Sequence, residues 1–389
     1  MSVSNRAALA LCLALLLVLA GCGPLAGPRW EATVLAPDGG SFAVDADLLE
    51  RLSDPDEDEE AAAALNAVLW AAGHRVVEAL VVIGPDGARR EISWPEVADD
   101  ALWQADGRIA VGGETLAVDR VEVRPPALLQ GVEASITDLA PTVSAVLGLP
   151  APGQATGQAL EAPAADHVVL LFLDGLGYLR FGEARDGGLI PNLASLGEPL
   201  LALTTYPPST SVSTASLLTG APPAVHGAER RGIRQTEVET LFDVVTAAGL
   251  QVVAVEGNAL AFNLRNAELQ LSGDRDGNGS TDDNVLANAL AVLDAGMPPL
   301  LFVHFHGIDD AGHTYGVDKP EEMAAIQGVD AAVGDLLSAL PAETLVLIFA
   351  DHGMHNVQEE GRLGNHGSLI ERDMFIPILI VQVPEAPPQ

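Results

Sequence analysis

Five short motifs hold most of the side chains in this sequence that could do chemistry. FLDGLG places Asp174 directly after an apolar run, and YPPSTSVSTASLLTG places Thr210 where a helix would begin. HFHGIDDAGHTYG sets Asp309 and His313 four residues apart, FADHGMH gives adjacent Asp351 and His352, and GNHGSL supplies His366. Seven of the nine histidines lie between residues 226 and 366. Each motif alone has an ordinary reading: Asp-Gly after a strand is a turn, and Thr at a helix start is an N-cap. Together they offer three carboxylates, three imidazoles and a hydroxyl. Hard oxygen and borderline nitrogen donors in that mixture suit two divalent cations, most naturally zinc.

The elements that must position these residues alternate. The strand candidates are His167–Leu173, Leu250–Val255, Leu300–Phe305, Thr344–Ala350 and Phe375–Val381. Helix candidates are Ser211–Leu218, Glu237–Ala248, Asn284–Asp294 and Pro320–Leu340. Near-continuous apolar strands between helices predict an α/β fold with a mostly parallel sheet covered on both faces. The polar motifs follow the strands, at the carboxyl edge where such sheets bind ligands.

With these motifs in order, the stretch from about 165 to 381 resembles the alkaline phosphatase superfamily, nearest its nucleotide pyrophosphatase/phosphodiesterase-like branch. IPNLASL after the first motif, and the TG before His226, are similar to the family as well. The resemblance implies that Asp174, Thr210, Asp351 and His352 hold one zinc ion, with Thr210 as the nucleophile. It implies that Asp309, His313 and His366 hold the other. The implied activity is a metal-dependent phosphohydrolase, a phosphodiesterase or nucleotide pyrophosphatase, acting on a small phosphate ester by a two-step route through phospho-threonine. A phosphomonoesterase or an envelope phosphotransferase on the same site are the alternatives, and a catalytically silent binding lipoprotein is a third.

The sequence departs from that pattern in places. Relatives carry an asparagine shortly after the motif resembling HGA at 226–228; here HGAERRGIRQ brings Arg230, Arg231 and Arg234. A guanidinium binds phosphate bidentately, so Arg230 and Arg231 are candidate substrate ligands favouring a doubly charged monoester; a plain surface charge cluster is the other reading. STSVS lacks the Pro and Arg continuation of sulfatases, which argues against a formylglycine enzyme. His304 and His306 alternate on a strand and share a face, with His304 read as a satisfied core residue and His306 as a neighbour of the ligands, and His355 reads as a substrate contact or a loop histidine without a role. SGDRDGNGSTDDNV places Asp274, Asp276, Asn278, Ser280 and Asp282 like a calcium loop, but Val285 stands where an EF-hand has Glu, with Asp283 nearby. Ca2+ at 274–283 and a polar turn capping the next helix are the two readings. A segment like DLAPT…LGLP, at 136–160, normally follows the last metal histidine in the superfamily; here it precedes the first strand, which reads as a circular permutation.

Composition frames these readings. The chain has 389 residues, 48% hydrophobic, with 54 acidic against 19 basic side chains and a formal charge of −35. Lys319 is the one lysine. Such a surface repels nucleic-acid phosphates, so no nucleic-acid polymer is expected as a partner, and no protein partner is evident. An acidic protein can still hold an anion-seeking pocket, since two dications outweigh three carboxylates. Both cysteines fall in the first 22 residues, where Arg6, an apolar run and LAGC resemble a bacterial lipobox. The expected organisation is a lipoprotein signal peptide at 1–21, a tether at 22–28 beginning with lipid-anchored Cys22, a small β-rich accessory domain at 29–125 and a catalytic domain at 126–389. That places the protein in the bacterial cell envelope, attached to a membrane through its lipid and facing periplasm or exterior. In the accessory domain two PDG turns between β-prone runs predict two hairpins.

Overall fold

The computed structural model describes residues 30–53, 62–257, 260–359 and 361–385. The signal peptide, Cys22, the tether and the DPDEDEE run at 54–60 fall outside the described residues. The chain divides into two compact units: one takes in 30–72, 81–92 and 100–123, the other 73–80, 93–99 and 124 onward.

The first unit is built from strands. Ala32–Leu35 and Ser41–Val44 pair antiparallel around the first PDG turn, and Ala79–Ile83 neighbours Arg89–Ser93 across the second. In both turns a glycine takes a positive φ, Gly39 at 83° and Gly87 at 78°. Strand Arg120–Arg124 lies between the two hairpins, so one five-stranded sheet unites them. Ala63–Ala64, Leu102–Trp103, Arg108–Val111 and Glu114–Ala117 form a second, four-stranded sheet that the sequence reading did not anticipate. Trp103 is fully buried.

The second unit is an α/β layer. Among the described residues its sheet has eight strands, numbered here in chain order: β1 Ala134–Ser135, β2 Val168–Leu173, β3 Leu200–Leu203, β4 Val252–Glu256, β5 Glu268–Leu271, β6 Leu300–Phe305, β7 Leu345–Phe349 and β8 Phe375–Gln382. Their order across the sheet is β1-β3-β8-β7-β2-β6-β4-β5. β8 runs antiparallel to β3 and β7, and the other pairings are parallel. Every residue of β2, β4, β6 and β7 is buried, as helices on both faces require. All five strand candidates and all four helix candidates are present, with ends shifted by up to about four residues.

The segment at 136–160 packs within this unit. β1 pairs parallel with β3 at the sheet edge, the Leu139–Val146 helix follows, and Thr156 and Gly157 donate to the Gly220 carbonyl. Among the described residues no helix is long and apolar enough to cross a membrane.

Candidate active site

Four adjacent parallel strands, β7, β2, β6 and β4, deliver their carboxyl ends to one place. Asp174 follows β2, Asp351 follows β7, Glu256 ends β4, and Asp309 and His313 lie on the Gly307–Tyr315 helix after β6. Glycine makes two of these junctions feasible. Gly175 has φ +78°, and a Cβ there would stand 3.1 Å from the Asp309 Cβ. A Cβ on Gly353 would meet the Arg372 carbonyl oxygen at 1.9 Å. Only a residue without a side chain lets these turns close around the acidic groups.

The structure brings together all seven residues singled out as metal ligands or nucleophile. His352 Nε2 lies 3.3 Å from Thr210 Oγ1, 3.1 Å from Asp351 Oδ2 and 3.6 Å from Asp174 Oδ1. His313 Nε2 is 3.3 Å from Asp309 Oδ2, and His366 Nε2 is 3.7 Å from Asp309 Oδ1. Asp309, His313 and His366 form one group of converging donors, and Asp174, Asp309 and His352 another. The His352 and His366 rings stack at 3.7 Å.

These side chains are arranged as ligands rather than as hydrogen-bond partners of each other. Each imidazole ties down its Nδ1–H on a backbone carbonyl: His352 on Gly353 at 3.1 Å, His313 on Gly364 at 2.8 Å, His366 on Pro208 at 2.7 Å. That fixes the tautomer and leaves the Nε2 lone pair facing the carboxylates, as metal-ligating histidines require. Three buried carboxylate oxygens, Asp174 Oδ1, Asp309 Oδ1 and Asp351 Oδ2, accept no hydrogen bond. Unpaired buried acceptors are costly unless something else compensates them. The donor set therefore fits bound cations.

The electrostatics agree. Burial, then repulsion from Asp174 and Asp309, pushes the Asp351 carboxyl well above its ordinary range. Burial, with unfavourable electrostatics from the neighbouring His352, Arg231 and His313 side chains, holds His366 well below its ordinary value, which favours the neutral ring. Burial would raise Asp174, but hydrogen bonds from His304 and His306 overcome it and keep that carboxyl ionised.

Thr210 is the first residue of the Thr210–Thr219 helix, with Ser209, not Thr210, as the N-cap. The Ser209 side chain makes no capping bond, so the helix start keeps its amide donors and its positive dipole end beside Thr210 Oγ1. His226 anchors this helix from behind. Its Nε2–H donates to Ser216 Oγ at 2.9 Å, and burial lowers its pKa to about 4.

Of the two arginine candidates, Arg231 reaches the site: its Nη2 donates to His366 Nε2 at 3.1 Å. Arg230 is exposed one residue earlier on the same loop. Arg362, not anticipated from sequence, donates to His313 Nε2 at 3.2 Å from the Arg362–Asn365 strand. The expectation that His355 could touch substrate is corrected. It is buried, and its two ring nitrogens donate to Asp373 and Asp99, each at 2.7 Å. Asp373 also accepts from the Gly367 and Ser368 amides at 2.9 Å, so the network braces the loop that carries His366. His304 is a buried residue with both ring nitrogens partnered, as read from sequence, and its partners are Asp174 and Glu256. Glu256 escaped notice as the one charge in an apolar strand; its place at a strand's carboxyl end was the available signal.

In the 274–283 loop, Asp274 accepts from the Gly277 and Gly279 amides, and Asp282 from the His306 and Gly307 amides. Among the described residues no three acidic or imidazole groups converge there. What the loop visibly does is cap itself and hold the start of the Asp309 helix.

Comparison with known proteins adds to this geometry. Residues 257–377 match the family described as type I phosphodiesterase / nucleotide pyrophosphatase, a stretch that holds Asp309, His313, Asp351, His352 and His366. The chain is 27% identical over 110 residues to the catalytic subunit of mouse GPI ethanolamine phosphate transferase 3, which is 28% of this chain but 10% of that protein. Phosphonoacetate hydrolase from Sinorhizobium meliloti, solved with phosphonoformate, is 20% identical with a TM-score of 0.41, covering 53% of this chain and 60% of the other. Murine ectonucleotide pyrophosphatase / phosphodiesterase 5, solved with AMP, is 17% identical with a TM-score of 0.41, covering 50% and 59%. The phosphodiesterase match, over residues 257–377 of the 389, is a likeness of this part of the chain to that family.

Proposed function

We propose that this protein is a metal-dependent phosphodiesterase that uses Thr210 as its nucleophile and binds two zinc ions. The observation that carries the reading is the set of buried, unpartnered carboxylate oxygens facing tautomer-locked imidazoles beside Thr210 Oγ1. Asp174, Asp351 and His352 would hold one ion together with Thr210, and Asp309, His313 and His366 the other. When bound, the pair supplies positive charge that lowers the pKa of the attacking hydroxyl and neutralises the leaving oxygen.

The chain's own residues do the rest. The helix start at Thr210 directs amide donors at the non-bridging phosphate oxygens, and Arg231 and Arg362 lie beside His366 and His313, where they can pair with substrate oxygens. Thr210 Oγ1 attacks phosphorus in line; its O–H proton passes to solvent as the phosphorus–oxygen bond to the leaving alcohol breaks. Water then attacks the phospho-threonine, returning the free hydroxyl and releasing a phosphomonoester.

A second reading, transfer of the phosphoryl group to an alcohol instead of water, is supported by the stretch shared with the ethanolamine phosphate transferases. Bis-nitrophenyl phosphate hydrolysis with and without added alcohols separates the two. Thr210→Ala should abolish nitrophenol release by roughly a thousandfold or more while leaving bound metal in place. Retained activity in that variant would sink the reading, and preference for the mono-nitrophenyl ester would move it to a monoesterase.

We also propose the envelope location, anchored through lipid on Cys22. Loss of palmitate labelling in Cys22→Ala is the expected result, and persistent labelling would refute it.

A further inference from the structure

Asp373 holds two loops of the site at once. Its backbone carbonyl accepts from the Gly353 amide at 3.0 Å, directly after Asp351 and His352. Its Oδ2 accepts from the Gly367 and Ser368 amides at 2.9 Å each, directly after His366. Asp373 is fully buried, so its oxygens must be satisfied inside the protein. His355 completes that: Nδ1 donates to Asp373 Oδ1 and Nε2 to Asp99 Oδ2, each at 2.7 Å. Asp99 Oδ1 then accepts from Ser368 Oγ at 2.6 Å. The bonds thus leave the His366 loop through two amides and return to it through a hydroxyl.

Asp99 lies 256 and 269 residues from these two partners in sequence. It closes the segment 93–99, which together with 73–80 belongs to the α/β unit. The two segments are tied to each other by the bond from the Trp94 amide to the Glu78 carbonyl at 3.0 Å. Val77 reaches the same loop as Asp99, donating its amide to the Leu369 carbonyl at 2.8 Å. We propose that Asp99, acting through His355, Asp373 and Ser368, is a positioning residue for the His366 loop. Segments 73–80 and 93–99 then belong to the catalytic machinery rather than to an accessory domain. What they hold is the backbone on which His366 stands. A displacement of about 1 Å at a reacting centre can cost about a hundredfold, so a brace that touches no substrate still governs rate. The link to turnover rests on the phosphodiesterase reading; the link to the loop does not.

The competing reading is that the network only buttresses the fold. Amide hydrogen exchange of the full chain, and its kinetics on bis-nitrophenyl phosphate, separate the two. In Asp99→Ala the Gly367 and Ser368 amides should exchange about tenfold faster or more, while the amides of β2 and β7 keep their rates. At a temperature where the variant is fully folded, kcat should fall about 10–100-fold with KM little changed. Asp99→Glu restores a carboxylate where the side chain is 29% exposed, and should recover most of the lost kcat. Asp99→Asn keeps the shape of the residue and stands in if the alanine variant does not fold; it should move both readouts the same way by less. Unchanged exchange at the two amides, exchange that quickens equally across the unit, or a wild-type kcat in the folded variant would each overturn the proposal. If the wild type itself releases no nitrophenol, the phosphodiesterase reading fails, and the exchange rates alone decide this one.

Discussion

The two halves of the site use the same kinds of side chain in different surroundings. In the inner half, Asp174, Asp351 and His352 are 2%, 0% and 0% exposed, and all lie within three residues of the ends of the central strands β2 and β7. In the outer half, His313 and Asp309 keep 15% and 12% of their side chains exposed, and Arg362 and Arg231 lie over the histidines. The residues proposed to hold the outer ion come from a helix, which carries Asp309 and His313, and from the loop that carries His366. The inner half is thus built into the sheet, where burial stores electrostatic repulsion that a cation relieves. The outer half is assembled from connections, and its polarity is met partly by arginine.

The sharpest way to break that contrast is to neutralise one ligand in each half. Asp351→Asn removes a carboxyl whose ionisation is opposed by burial and by Asp174 and Asp309, so the metal-free protein should melt higher than wild type while activity drops at least roughly a hundredfold. His313→Ala should leave metal-free stability near wild type, since that ring is partly exposed. A chelator should strip wild-type protein in two phases, the outer ion first, and His313→Ala in one. A single stripping phase in wild type would show that the halves are not distinct.

The braced loop of His366 gives a second, smaller test through pH. Burial lowers the pKa of His355, but Asp373 and Asp99 outweigh it and raise it to about 10. A raised pKa contributes stability that is complete below the unfolded value of about 6.5 and is lost as pH rises through the folded one. Wild-type Tm should therefore fall between pH 7 and 10, and His355→Gln should melt lower but with a flat profile in that window. Parallel slopes for both proteins would show that His355 is not charged in the fold.

How much of this was legible in sequence follows the same inner–outer divide. The inner ligands sit next to long apolar runs such as VVLLFLD and LVLIFAD, so a strand end and a polar residue could be read together. Strands β3 and β5 and the His355–Glu359 and Arg362–Asn365 hairpin were not anticipated; they are short, and β5 is largely exposed, so no apolar run marks them. Arg362 and Asp99 were missed because their partners lie 49 and 256 residues away, and spacing carries no signal over such distances. His304 and His306 were noted as sharing a face, but the carboxylate that turns them both toward Asp174 comes from β4. Pairings of this kind belong to tertiary structure alone.

The smallest effect concerns the arginines, and it addresses what the outer half contributes. Arg231 is largely exposed and its bond to His366 is a neutral-acceptor bond, so its worth to stability is slight. If His366 coordinates an ion through Nε2, that bond must break, and the guanidinium becomes available to a substrate oxygen. Arg231→Ala should then raise KM for bis-nitrophenyl phosphate several-fold with kcat and metal content little changed, and Arg231→Lys should recover only part of it. The effect should be larger for the mono-nitrophenyl ester, whose extra charge the guanidinium would pair. Equal KM values for wild type and Arg231→Ala on both esters would confine Arg231 to the metal-free state and leave Arg362 as the outer half's candidate for substrate contact.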